Sequence, residues 1–123
     1  LFPGPITRIA MRERLSQIKK HSNNLTKSLI KNNNNNNKQL IQTFITNTDG
    51  RLPNGPALYG SQFTVGQYQW IFYVGDYFAR FASSRICGTP FLDVVPLNFG
   101  LDDPTDHYHV PLLCSPWSYS TYR

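Results

Sequence analysis

Acidic residues are scarce in this chain, seven Asp plus Glu in 123 residues against twelve Lys plus Arg, and cysteine and methionine are scarcer still, at two and one. No apolar run approaches the ~18 residues that a bilayer-spanning helix needs, so a spanning helix is excluded and no membrane partner is expected. Glycine-rich phosphate loops, Ser/His/Asp signatures and the paired-Cys spacing of zinc modules are all missing. Cys87 and Cys114 are too few to staple a disulfide scaffold and read as free thiols of a reducing compartment. A secretory h-region is lacking as well.

The formal charge of +5 is unevenly placed. Eight basic residues (Arg8, Arg12, Arg14, Lys19, Lys20, Lys27, Lys31 and Lys38) face a single acid, Glu13, in the first 38 positions, whereas four Arg face six Asp in the rest. Basic and aromatic residues are therefore not interleaved, which argues against a nucleic-acid groove. Aromatic residues make up 14% of the chain and hydrophobic residues 40%, enough for one buried core.

Residues 1–24 read as a basic N-terminal arm and 25–123 as the folded domain. Within the arm, Met11, Leu15 and Ile18 recur at i, i+4 and i+7, which predicts a short amphipathic helix between Arg8 and His21. The Asn run at 32–37 reads as a polar loop joining two strands, Leu25 to Ile30 and Leu40 to Ile45. Tyr68 to Val74 is a strand rich in aromatic and β-branched residues, with apolar groups on both faces. Asp76 to Ser83 predicts a short helix. Phe91 to Asn98, His107 to Leu113 and Ser118 to Tyr122 complete the strands, and the fold class is all-β, a two-sheet β-sandwich with one short helix.

Asp106-His107-Tyr108-His109 is the densest chemistry. On one strand His107 and His109 share a face about 6.6 Å apart. Three readings stay open on spacing alone: exposed strand histidines without a task, a His-x-His zinc site, or an acid/base imidazole for activating water. Arg51 follows Asp49-Gly50, a tight-turn pair that would hold its guanidinium rigidly for an anion, or leave it as an ordinary surface cation.

Thr46 to Arg51, Val74-Gly75-Asp76-Tyr77-Phe78, Phe91 to Pro96, His107-Tyr108-His109-Val110-Pro111-Leu112-Leu113 and Ser118 to Arg123 occur in an order and spacing that closely resembles the 5-hydroxyisourate hydrolases, a transthyretin-like family of urate degradation. The resemblance covers roughly residues 39–123. It implies a transthyretin-like sandwich assembled as a homotetramer, hydrolysis of the small molecule 5-hydroxyisourate, and no cofactor or metal. By position it implies that His109 activates the attacking water, Arg51 binds and polarises the anionic substrate, and Tyr122 lines the substrate pocket, with His107 as a neighbour. At the first strand Arg8-Ile9-Ala10-Met11 stands where the family carries His-Val-Leu-Asp, so the alternative is a catalytically silent transthyretin-like binding protein. Arg14-Leu15, five residues, then His21-Ser22 resembles the bipartite N-terminal peroxisomal signal; the alternative location is cytoplasmic.

Overall fold

A computed structural model describes residues 6–8, 11–13, 24–33, 37–80 and 88–123. One sheet is antiparallel throughout, built of β3 (Thr26–Asn32), β4 (Lys38–Ile45), β5 (Gly66–Tyr73) and β6 (Val94–Leu101) in the order β4-β3-β5-β6. β3 and β4 are the strands expected on either side of the Asn run, paired from Thr26 opposite Ile45 to Asn32 opposite Lys38 with a register shift between Leu29 and Ile30. Because side chains alternate across a strand, pairing Leu29 with Trp70 and Lys27 with Phe72 puts Leu25, Lys27 and Leu29 on the face that carries Tyr68, Trp70 and Phe72. Val95, Leu97, Phe99 and Leu101 of β6 extend that face. It is the core, and Trp70, Phe72, Leu25 and Leu29 are fully buried in it. β5 is buried on this face alone: Gln69, Ile71 and Tyr73 on the other are partly exposed, so the expectation of two covered faces is corrected.

The second layer comes from the chain's two ends. β1 (Ile6–Arg8) runs parallel to β7 (Tyr108–His109), and β2 (Met11–Glu13) runs parallel to β8 (Leu112–Cys114). β9 (Tyr119–Ser120) closes the other side of β8. The expected strand from His107 to Leu113 is thus split in two. Pro111 has no N–H to give to a ladder, and the ladder stops there. Its carbonyl is taken instead by Thr121 Oγ1 at 2.7 Å. Tyr108, Val110, Leu112 and Cys114 alternate inward and are buried, closing the two-sheet sandwich.

Two further expectations change. Met11–Glu13 is a strand, not part of an amphipathic helix, because the edge of β8 offers it a ladder that the local i, i+4 pattern cannot match. Residues 14–23, where the rest of that helix and His21 fall, lie outside the described residues, as does Cys87. Described parts of the 1–24 arm consequently pair into the sandwich of residues 25–123. The short helix α1 (Val74–Ala79) begins two residues earlier than expected and buries Tyr77 and Phe78. It is pinned at Gly75, whose N–H donates to Asp93 O at 2.8 Å. Backbone and helix approach so closely that a Cβ on Gly75 would lie 2.9 Å from Asp93 Cα. Among the described residues no helix is long and apolar enough to cross a membrane.

Candidate active site

His109 belongs to β7, where its neighbours Tyr108 and Val110 turn inward to the core. The alternation sends the His109 side chain the other way, half-buried, into a cleft of about 220 Å³. Leu97, Asn98 and Phe99 of β6 line it, as does the wall formed by Thr121, Tyr122 and Arg123. The ring of Tyr122 meets His109 edge to face, with centroids 6.1 Å apart. Two of the residues singled out from sequence are therefore brought together here.

A chain of contacts under the cleft fixes its floor. Tyr108 Oη donates to Asp102 Oδ1 at 2.7 Å and accepts from Asp103 N–H at 3.1 Å. On its other side the Tyr108 ring carries the Arg123 guanidinium at 4.5 Å, and Arg123 Nη2 donates to Asp106 Oδ2 at 2.9 Å. The turn that delivers this group is tied by Asp103, which accepts the side-chain hydroxyl and backbone N–H of Thr105; these bonds hold its carboxyl below the usual carboxylate range. Tyr108, Asp106, Thr121 and Arg123 were not singled out as site residues in the sequence. The interposed Tyr of the His-Tyr-His run was the available signal, since a tyrosine facing inward there needs a partner for its hydroxyl.

His107 is not part of this cleft wall. It precedes β7, is exposed, and its N–H donates to Asp106 Oδ1 at 2.8 Å. Arg51 is held as the Asp-Gly turn predicts: Asn47 Oδ1 accepts from Asp49 N–H at 2.9 Å and Arg51 N–H at 3.1 Å, and Gly50 takes φ 74°. Partly exposed, it does not line the His109 cleft in this chain. Among the described residues no three His, Cys, Asp or Glu side chains are grouped to hold a metal ion. One further cation is unusual. Lys27 lies on the core face of β3 with its Nζ 5.0 Å from the Trp70 ring and 5.5 Å from the Phe72 ring, and burial pushes its pKa down to about 7.

Sandwich, short helix and a cleft at the split β7–β8 strand together define a transthyretin-like protein. Crystalline transthyretin from Sparus aurata superposes with a TM-score of 0.75 over 94% of this chain and 92% of its own, at 23% identity, a likeness of fold alone. The chain belongs to the HIUase/Transthyretin family, whose family model matches residues 17–123. Among its relatives are 5-hydroxyisourate hydrolase 2 of Rhizobium meliloti (strain 1021), 50% identical over 70% of each chain, and 5-hydroxyisourate hydrolase of Ralstonia nicotianae, 53% identical over 70% of this chain and 72% of the relative. A crystal structure of (S)-allantoin synthase is 44% identical with a TM-score of 0.84; it matches 99% of this chain, which spans 44% of that longer one.

Proposed function

We propose that this protein is a 5-hydroxyisourate hydrolase, opening the ring of 5-hydroxyisourate to 2-oxo-4-hydroxy-4-carboxy-5-ureidoimidazoline without a cofactor. The observation that carries the reading is the edge-to-face pair of His109 and Tyr122 in the lining of a cleft large enough for a small heterocycle, in a chain half identical to named hydrolases of this reaction. A neutral imidazole takes a proton from water near pH 7, so His109 activates the attacking water. Tyr122 packs against the substrate ring, and His107 stands beside the site without entering it. Arg51, which lies outside the His109 cleft of its own chain, supplies a fixed positive charge for the anion across a subunit contact of the homotetramer proposed below. Purified protein mixed with freshly generated 5-hydroxyisourate should accelerate the loss of its ultraviolet absorbance; equal decay with and without protein overturns the assignment.

A second reading is a catalytically silent binding protein. Its support is specific: Arg8, standing where the family carries His, is the backbone partner of His109 in the β1–β7 pairing. Binding of a urate-like inhibitor with no turnover would favour it. Assembly as a homotetramer is part of the main proposal, supported by the family likeness and testable by light scattering. So is a peroxisomal location, supported by Arg14-Leu15 and His21; residues 1–24 fused to a fluorescent reporter should carry it to peroxisomes.

A further inference from the structure

The wall of the cleft formed by residues 121–123 is tied at its two outer residues and not at the middle one. Thr121 Oγ1 donates to Pro111 O at 2.7 Å, in the gap where the proline interrupts the strand. The Arg123 guanidinium stands over the Tyr108 ring at 4.5 Å, and its Nη2 donates to Asp106 Oδ2. Fixing the flanking pair limits where the residue between them can go, and the Tyr122 ring there lies edge to face against His109. Of the two ties, the Thr121 bond sets where the segment runs, whereas the Arg123 tie sets how far its end can swing.

Arg123 on the tyrosine ring alone would keep rotational freedom, because a cation over a ring has no preferred direction in the ring plane. Asp106 removes that freedom. Its two oxygens act in opposite directions, Oδ1 accepting the His107 N–H at 2.8 Å and Oδ2 accepting Arg123 at 2.9 Å, so the carboxylate is itself oriented by the backbone just before β7. Both partners are solvent-exposed, at 67% and 48% of their side-chain surfaces. Such a pair contributes little to folding, and a change at Asp106 is expected to alter the wall without unfolding the sandwich.

We propose that Asp106 is a positioning residue: acting through Arg123, it holds Tyr122 against His109 and so shapes the substrate cleft. The kinetic half of the test rests on the hydrolase reading, and the spectroscopic half does not. Asp106→Asn keeps the shape and removes the charge. It should raise KM about three- to fivefold with kcat within about twofold, since it loosens a binding wall held by an exposed ion pair and leaves the water-activating imidazole in place. Asp106→Glu, with the carboxylate restored, should recover most of the loss. Asp106→Asn combined with Arg123→Gln should raise KM no further than either change alone, because both break one tie.

Independently of turnover, the His109 ring protons should carry a ring-current shift in proton NMR that vanishes in Tyr122→Leu. Asp106→Asn should remove most of that shift and Asp106→Glu should restore it. A KM unchanged in Asp106→Asn, or a ring-current shift that survives it, overturns the proposal. If the unaltered protein fails to hydrolyse 5-hydroxyisourate, the hydrolase reading falls, and the ring-current comparison still decides the role of Asp106.

Discussion

At the scale of single residues, the proposed reaction rests on the imidazole of His109. His109→Ala is expected to lower kcat by about 10²- to 10⁴-fold, the usual effect of removing a general base, with the fold intact by circular dichroism. Arg51→Ala should act differently, raising KM more than it lowers kcat, because its proposed role is to hold the substrate's charge; steady-state kinetics separate the two. Lys27 is a residue-scale prediction about stability. Its pKa is lowered to about 7 in the fold, while in the unfolded chain the ammonium keeps its proton up to its ordinary value of 10.5. Between those values the unfolded state binds more protons, so stability rises with pH across that window. Below about pH 7 both states are protonated and the fold bears the whole penalty of a buried charge. The unfolding free energy from urea titrations should therefore climb from pH 7 toward pH 9, by on the order of 1 kcal/mol per pH unit, and Lys27→Met should flatten the climb. His109 and Tyr122, which meet in the cleft, were singled out in the sequence because their motifs resemble a family; Arg51 was singled out in the same way and lies outside that cleft. The Asp106–Arg123 tie was not, since two exposed residues 17 positions apart have no periodic signal linking them.

At the scale of elements, the strands that pack both sides of the Asn run were legible from alternation and polarity, and so was β5 from its aromatic content. The helix expected near Met11 fails for a physical reason. A three-residue strand holds its place through the partner it finds on β8, and nothing in its own i, i+4, i+7 pattern encodes that partner. The break at Pro111 was in plain view as a residue, but its effect on the ladder depended on knowing that Thr121 returns to cap the carbonyl. Junctions between elements are equally specific. Gly75 passes so near Asp93 that any side chain must push the helix from β6. Gly75→Ala is expected to cost about 1–3 kcal/mol as overpacking, read from a denaturant titration. The same change at Gly55, where a Cβ would meet nothing within 4 Å, lacks that clash and carries only the strain of its positive φ of 93°.

At the scale of the whole molecule, the outer strand β4 sets a condition on how the protein keeps in solution. Its backbone edge has no ladder partner among the described residues, and Leu40 and Ile45 are 59% and 55% exposed along it. Only Lys38 on that strand is charged, so little local repulsion opposes a second edge approaching side by side. What separates two molecules is then the +5 of the entire chain, acting at a distance. Salt shortens that reach from about 10 Å at 0.1 M to about 3 Å at 1 M. Dynamic light scattering should show particle growth quickening as salt rises, and Leu40→Lys should suppress it while leaving turnover unchanged. The protein is in this sense a charged colloid with an adhesive edge at β4, and the medium around it decides whether that edge is felt.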